Sequence, residues 1–281
     1  MTWALSNPPT FSDTDFYIWQ SLLEKKTGIS FENHKHILQT GLTQRMRELG
    51  FSSYSAYFRE IQQGSQGALE WESLLRTLTV KETRFFRDPD AFNAVRRYIF
   101  KLVNSVNTQK TIDVWSAACS TGEEAYSLAM LVNDCLEGLS VEKYLGITAT
   151  DICLAALAEA RKGVYNERKA NDIAEDIRNR YCLPHESGFF ITQKLQQKIC
   201  FLQANLINFR GLPLAKMDVI FCQNVLIYFK RDLQHRVLDQ LVNQLKPGGL
   251  LVLGSGEALG WKNNETRRLQ DESVKAYIRK Q

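Results

Sequence analysis

A change in the hydrophobic pattern near residue 110 constrains the fold of this chain more than any other feature. Before it, apolar residues recur at helical spacing; after it, short apolar runs alternate with amphipathic helical stretches. Such alternation is typical of βαβ units and a parallel sheet. We therefore predict an α/β domain that follows an all-α N-terminal domain. The predicted strands are Ile112–Trp115, Tyr144–Thr150, Ile199–Gln203, Asp218–Cys222 and Leu250–Leu253, and the predicted helices are Glu123–Leu136, Leu154–Lys162 and Leu233–Gln244.

The N-terminal part contains successive apolar stripes, each with the spacing of one helix face. Gly28 and Gly50 end the first two predicted helices, and Ser53 caps the third. The stretch from Gly64 to Gly67 is expected to be a break before the fourth. The stripes consist of Phe16, Trp19, Leu22 and Leu23; of Ile37, Leu38, Leu42, Met46 and Leu49; of Tyr54, Tyr57, Phe58 and Ile61; and of Leu69, Leu74, Leu75 and Leu78.

The segment Gly163–Lys198 is too long for a simple crossover between two strands. It holds a polar helical pattern at Asp172–Tyr181 and a strand-like piece at Gly188–Thr192. We interpret it as an insertion that forms a small antiparallel lobe. Further on, Lys-Pro-Gly-Gly at residues 246–249 predicts a turn before the last strand.

Composition and charge exclude several classes of protein. A chain of 281 residues has room for about two domains, and its net charge of +4 does not mark a nucleic-acid-binding protein. No apolar run reaches the ~18 residues of a membrane helix, and residues 1–15 lack a signal-peptide pattern. The six cysteines include no CxxC pair, so we expect free thiols and no metal site. We expect a cytoplasmic protein that neither binds nucleic acid nor inserts into a membrane.

The turns that follow the first two predicted strands carry the first functional signal. Small residues follow the first strand, Glu123 and Glu124 open the next helix, and Asp151 ends the second strand. Backbone amides at such a turn approach a ligand closely, and an acidic residue after the second strand suits ribose hydroxyls. GxGxxG is absent, and the acidic pair would repel a phosphate. S-adenosylmethionine (SAM), with an amino group and a ribose, fits; an ordinary βα turn with an acidic helix start also fits.

Polar Asn224 lies where the fourth predicted strand ends, inside an apolar run. The carboxyl end of a parallel strand faces the ligand crevice, so we favour a functional role for Asn224 and Tyr228. The alternatives are a helix cap for Asn224 and core packing for Tyr228, and core packing is as well supported as function for Phe229. In the segment before the sheet, Arg84 is interpreted as a solvated charge, and Phe85 and Phe86 as core aromatics.

Five motifs occur in order along the chain: Thr83-x-Phe85-Phe86-Arg87, WSAACSTGEE at Trp115–Glu124, Thr150-Asp151-Ile152, Asn205-Leu206, and FCQNVLIYF at Phe221–Phe229. Together they resemble the CheR-type methyltransferases, which use SAM to methylate glutamate side chains of bacterial chemoreceptors. The resemblance implies a Rossmann-like SAM methyltransferase sheet with a small antiparallel β insertion, preceded by an all-α N-terminal domain. The implied domains are residues 1–80 (helical), 81–110 (a linker that contacts the cofactor) and 111–281 (methyltransferase, with the insertion at about 163–198).

The resemblance also implies roles for individual residues. Thr83 and Arg87 would reach the cofactor, Glu124 would hold its methionine end, and Asp151 its ribose. Arg87 would also act in catalysis by orienting the acceptor carboxylate, because a guanidinium binds a carboxylate bidentately. The catalytic Tyr228 would stand near the transferable methyl, where an aromatic face stabilises a sulfonium. The pairs Asn205-Leu206 and Asn224-Val225 would frame the adenine and methionine sides of the crevice.

The implied activity is transfer of a methyl group from SAM to chemoreceptor glutamates, which gives methyl esters and S-adenosylhomocysteine (SAH). The implied partner is the cytoplasmic domain of a methyl-accepting receptor, and we expect a monomer. The same chemistry in a pilus or surface-motility array, a small-molecule methyltransferase and a non-catalytic SAM-binding adaptor are the alternatives.

The sequence departs from the family pattern at a few positions. Lys81 stands where Asn is frequent, and Ala125 where Pro is usual. The second helix, expected to face the acidic receptor, has few basic residues, and a solvated face explains them equally well. The stretch Gly188–Ile191 is a candidate strand edge for docking a receptor peptide, with inward packing as the alternative. The basic and histidine residues of the second helix are His34, Lys35, His36, Arg45 and Arg47.

Overall fold

The computed structural model describes residues 9–79, 82–104, 111–137, 144–209, 211, 214–270 and 273–281. They form two compact units, residues 9–79 together with Tyr228–Lys230, and the remainder. Lys81 lies outside the described residues. Within the described ranges, no helix combines the length and the apolar character needed to cross a bilayer. The six cysteines are free thiols, and all but Cys200 are buried.

The helical unit is built from α1 (Asp13–Thr27), α2 (Lys35–Leu49), α3 (Tyr54–Glu60) and α4 (Gly64–Leu78). A capping box starts α1: Asp15 N donates to Ser12 Oγ (3.1 Å), and Ser12 N donates to the Asp15 carboxylate (3.1 Å). Gly28 ends α1 in the left-handed region, at φ 82°. The stripes meet in one apolar core, which includes Trp19, Leu38, Leu42, Tyr57 and Leu74.

One detail of the predicted helices is wrong, and two of the stripe residues are exposed. Residues 64–67 are the first turn of α4 rather than a break. Glycine at position 67 lets this turn lie close to α3, since a Cβ there would lie 2.7 Å from Glu60 O. Leu49 and Leu69 do not belong to the core, since they are 45% and 65% exposed.

A buried ion pair joins α2 to α4. The guanidinium of Arg45 donates through Nε (2.9 Å) and Nη2 to the carboxylate of Glu70, which also accepts a hydrogen bond from the hydroxyl of Tyr57. The side chains of Arg45 and Glu70 are 16% and 10% exposed. Of the two arginines on α2, Arg45 therefore serves the interior of the helical unit, and Arg47 is exposed.

Arg45→Ala is expected to lower the free energy of unfolding of the helical unit by about 2–3 kcal/mol. Removing one partner of a fully buried pair costs about 3–5 kcal/mol, and this pair retains some exposure. Urea denaturation followed by circular dichroism measures the loss. The matched control Arg47→Ala should change the free energy by less than about 0.5 kcal/mol. Equal stability of the two variants would show that Arg45 is not a structural residue.

The second unit contains a seven-stranded sheet with the order β6-β2-β1-β7-β8-β10-β9. Strands β6, β2, β1, β7 and β8 run parallel, and β10 is antiparallel to both of its neighbours. β9 and β10 were not predicted from the sequence, because they are short and lack a buried apolar run. The strands are β1 (Thr111–Ala117), β2 (Tyr144–Asp151), β6 (Ile199–Gln203), β7 (Met217–Cys222), β8 (Leu245–Leu253), β9 (Thr266–Arg268) and β10 (Lys275–Arg279).

The last parallel strand differs from the prediction. β8 takes in residues 246–249, which were expected to form a separate turn. Its pairing with β7 is irregular there, since Met217 pairs with Leu245 but Val219 pairs with Leu250. With Gly248 at φ 79°, these residues form a bulge within the strand.

Four helices pack on or beside the sheet: α5 (Pro89–Asn104), α6 (Glu123–Leu136), α7 (Leu154–Lys162) and α10 (Arg231–Gln244). The bounds of α6 and α7 agree with the prediction, and α10 begins two residues earlier. α5 lies within the segment that was predicted as a linker, and it buries Phe92, Val95 and Ile99 in the core of this unit.

The insertion forms a small antiparallel sheet, as predicted, with the strand order β3-β5-β4. β5 is the central strand, paired on both sides, so the expectation that Gly188–Ile191 offers a strand edge is wrong. Phe189 and Ile191 are buried, in agreement with the inward-packing alternative. The lobe consists of β3 (Val164–Tyr165), a 3₁₀ helix (Glu167–Asp172), α8 (Glu175–Tyr181), β4 (Cys182–His185), β5 (Gly188–Ile191) and α9 (Gln193–Gln196).

Candidate functional site

The sheet places the chemistry-bearing turns at one edge. β1 lies between β2 and β7, and the chain continues to one side through β2 and β6 and to the other through β7 and β8. The strand order therefore reverses at β1, and ligands of open α/β sheets bind at such a point, outside the carboxyl ends of the strands. The turns after β1, β2, β6 and β7 all end at this edge.

The turn after β1 has an unusual backbone. Ala118 and Ser120 have φ values of 68° and 50°, and Gly122 has a φ of 96°. Positive φ at non-glycine residues is costly and persists where surrounding contacts impose it. Here Cys119 N donates to Thr150 O (2.8 Å), and Ser120 N donates to Asp151 Oδ2 (2.9 Å). The turn is thus held against the carboxyl end of β2.

Asp151 is fixed by the backbone on both sides. Besides the bond from Ser120, its Oδ1 accepts a hydrogen bond from Cys153 N (2.8 Å). The next turn is attached to the same residue, because Ala204 N donates to Asp151 O (3.0 Å). Asn205 follows, with its Oδ1 accepting from Ile207 N (3.1 Å), and Leu206 is buried. The structure therefore brings the predicted ribose-binding and adenine-side residues together.

Glu124, in the first turn of α6, has a side-chain carboxyl group with a raised pKa. Burial and the charges of Glu257 and Asp151 raise its pKa to about 8, although the Ser116 hydroxyl and the charge of Arg87 lower it. Ser116 Oγ donates to Glu124 Oε1 at 2.6 Å. The site thus holds several carboxylates close to one another, an arrangement that favours binding of a cationic ligand.

The segment 82–88 is anchored in the second unit by its aromatic residues. Phe85 is buried with its ring centroid 5.0 Å from that of Tyr165, as its interpretation as a core aromatic predicts. Phe86 N donates to Ser127 Oγ on α6 (3.0 Å). Arg87 Nη1 donates to Glu82 O (2.9 Å), and its charge reaches Glu124.

Thr83 and Arg84, in the same segment, are less buried than Phe85. Thr83 is half-buried. Arg84 is exposed and lies 3.6 Å from the Asp172 carboxylate, which agrees with its interpretation as a solvated charge.

The turn after β7 depends on a residue that the sequence analysis missed. Asn224 is exposed, with a φ of 60°. The amides of Val225 (2.9 Å) and Leu226 (2.7 Å) donate to Glu257 Oε1, a fully buried carboxylate. The only sequence signal for Glu257 is an acidic residue among small residues just after the last parallel strand.

Tyr228 belongs to the helical unit, although the residues before it in the chain belong to the second unit. Its carbonyl oxygen accepts a hydrogen bond from Ser30 N (2.8 Å), and the next residue, Phe229, forms an antiparallel bridge with Ile29. The side chain of Tyr228 is half-buried, whereas Phe229 is buried, in agreement with core packing for Phe229.

Comparison with known families identifies the chain. Residues 81–276 match the family model described as CheR methyltransferase, SAM binding domain, and residues 14–79 match CheR methyltransferase, all-alpha domain. The chain belongs to the CheR methyltransferase family. Among curated relatives, it is 31% identical to chemotaxis protein methyltransferase 2 of Vibrio cholerae over 259 residues, covering 90% of this chain and 88% of that protein. It is 32% identical to the chemotaxis protein methyltransferase of Escherichia coli, covering 88% and 85%.

Membership of the CheR family makes the protein a methyltransferase that uses SAM, and its site fits that cofactor. Closely spaced carboxylates around Glu124 suit an ammonium group, and Asp151 at the end of β2 suits a ribose. The turn after β1, with its positive φ values, places backbone groups at the same edge of the sheet, where they can approach a bound ligand.

Proposed function

We propose that this protein transfers a methyl group from SAM to glutamate side chains of bacterial chemoreceptors, forming glutamate methyl esters and SAH. The observation that carries the proposal is the match to chemotaxis protein methyltransferases over both units, combined with carboxylates gathered at the carboxyl edge of the sheet. The curated relatives are named as chemotaxis protein methyltransferases, and the residues of the present site are of the kind that the proposed activity needs.

The acceptor needs little acid–base assistance. A glutamate side chain has an ordinary pKa near 4.3, so it is ionised and nucleophilic at neutral pH. SAM supplies an electrophilic methyl group on a positively charged sulfur. The work of the protein is therefore to bind, to orient and to exclude water, which supplies most of the acceleration in such displacements.

Each group of the site has a role in this proposal. Glu124 holds the cofactor ammonium, Asp151 the ribose, and Asn205 with Leu206 the adenine side. Asn224 and Val225 line the methionine side, where the Glu257 hydrogen bonds fix their backbone. Thr83 is proposed to contact the cofactor from the segment 82–88.

Arg87 is proposed to orient the acceptor carboxylate. Its guanidinium carries a bidentate fork for a carboxylate, and its position near Glu124 is fixed in part by the bond to Glu82 O (2.9 Å). A cation here also offsets the repulsion between the acceptor and the carboxylates of the site.

The experiment that tests the proposal uses radiolabelled SAM and membranes that contain candidate receptors. We expect transfer of label to the receptors, release of the label as methanol on mild base treatment, and loss of labelling when the receptor glutamates are replaced by alanine. Label stable to base, or labelling of a small molecule alone, would contradict the proposal. SAM binding without any transfer would support a non-catalytic adaptor.

Tyr228 is proposed to present its ring to the transferable methyl. If the aromatic face stabilises the sulfonium, Tyr228→Phe should lower kcat by less than about threefold, and Tyr228→Ala by about tenfold or more. Steady-state methylation assays with purified receptor measure both. Equal losses in the two variants would assign the effect to the hydroxyl instead.

A further inference from the structure

Glu257 is a fully buried carboxylate for which the proposed chemistry has no direct use. Its oxygens accept hydrogen bonds from backbone amides: Oε1 from Val225 (2.9 Å) and Leu226 (2.7 Å), and Oε2 from Gly254 (2.7 Å). A carboxylate that is desolvated in this way costs free energy unless its acceptors are filled. The amides fill them, so the residue is held in one position.

These bonds connect the ends of two neighbouring parallel strands. Gly254 follows β8, and Val225 and Leu226 belong to the turn after β7. The turn includes Asn224, which lies in the left-handed region at φ 60°, a conformation that asparagine tolerates. Gly254 packs closely against both Glu257 and the turn. A Cβ at this position would lie 2.9 Å from Glu257 Oε2 and 3.3 Å from Asn224 N.

Glu257 also acts on the cofactor site through its charge. It is one of the groups that raise the pKa of Glu124, together with burial and Asp151, whereas Ser116 and Arg87 lower that pKa. Two other groups lie near Glu257. The Nζ of Lys275 donates to the Glu257 carbonyl oxygen, and the buried thiol of Cys222 interacts electrostatically with the Glu257 carboxylate.

We propose that Glu257 is a positioning residue of the cofactor site, which holds the Asn224–Leu226 turn in the orientation that cofactor binding requires. The inference rests on the proposed binding of SAM at this edge. Glu257 acts through Asn224 and Val225 and through its field at Glu124.

Glu257→Gln is the direct test. Its amide group replaces one carboxylate oxygen by a donor, so at least one of the bonds from Val225, Leu226 and Gly254 is lost and the link between the two strand ends is weakened. We expect the Kd for SAH, measured by isothermal titration calorimetry, and the KM for SAM to rise by about tenfold or more, while kcat at saturating SAM falls by less than about threefold. Loss of the charge should also move the pH dependence of SAH binding to lower pH, which a purely structural defect would not do.

Gly254→Ala provides a second variant that leaves the charge in place. Its Cβ presses on Glu257 Oε2, so SAH binding should weaken by about threefold or more without the shift to lower pH. Glu70→Gln is the matched control, since it removes another buried carboxylate in the helical unit. It should lower the thermal midpoint and leave the Kd for SAH unchanged.

The outcomes separate this inference from the proposed function. If the wild-type protein fails to bind SAH, the proposed function fails. If the wild type binds SAH, and folded Glu257→Gln and Gly254→Ala variants bind it with the same Kd and pH dependence, the positioning role of Glu257 is overturned. If Glu257→Gln does not fold, the Gly254→Ala result decides.

Discussion

Replacing Arg87 by alanine is expected to lower kcat for receptor methylation by about 10²–10³-fold, with the Kd for SAH at pH 8 changed by less than about tenfold. A preorganised cation that orients the reacting anion contributes mainly to the transition state, and losses of this size are typical when such a group is removed. Single-turnover methylation with preloaded SAM measures the transfer step, and calorimetry measures SAH binding.

Arg84→Ala is the matched control for this variant. Arg84 lies three residues away, is exposed and is near Asp172 (3.6 Å). Its loss should change kcat by less than about twofold. Unchanged turnover in Arg87→Ala would contradict the orienting role, and equal losses in both variants would indicate a general disturbance of the segment 82–88.

Replacing Glu124 by glutamine is expected to weaken SAH binding by about 10²-fold at pH 8. The carboxylate is already desolvated and lies near other negative charges, so a bound ammonium gains more from it than from an exposed carboxylate. Calorimetry measures the affinity. Wild-type affinity in Glu124→Gln would remove Glu124 from the cofactor site.

The pH dependence of SAH binding gives a second test of the same group. With a pKa of about 8, Glu124 is mostly protonated at pH 6 to 7 in the free protein, and binding of an ammonium must then expel the proton. The affinity should therefore rise by up to about tenfold per pH unit from pH 6 to 8. Above the pKa of the ligand's own amino group it should fall again, because the ligand then loses the proton that makes it a cation.

Two variants sharpen this pH test. Glu124→Gln should abolish the rising limb and the release of protons on binding, which titrations in buffers of different ionisation enthalpy detect. Ser116→Ala removes a hydrogen bond that lowers the pKa of Glu124, so its rising limb should move to higher pH. A rising limb that survives in Glu124→Gln would assign the proton to another group.

The parallel strands and their helices could be predicted because each is a short apolar run or amphipathic stretch bounded by polar or glycine residues. α6, α7 and β6 have the predicted bounds for this reason. α5 was not predicted, because the segment around it was interpreted through its motif, although its buried residues have helical spacing. The central place of β5 in the lobe depends on strand pairing, which local pattern does not determine.

The part of the candidate site that lies at the ends of the strands could be predicted from the sequence. Asp151 and Asn224 follow buried strands, and parallel strands end at one edge. Several of the contacts that hold these segments could not be predicted, because the partner residues are distant in sequence. Glu257 accepts a hydrogen bond from Val225, about 30 residues earlier in the chain. In the helical unit, Arg45 pairs with Glu70, 25 residues later.

A crystal structure of the complex with SAH tests the central claim most directly. We expect the ligand across the carboxyl ends of β1, β2 and β7, with its ammonium on the Glu124 carboxylate and its ribose hydroxyls on Asp151. SAH bound at any other part of the protein, or bound at this edge with its amino group away from Glu124, would contradict the account.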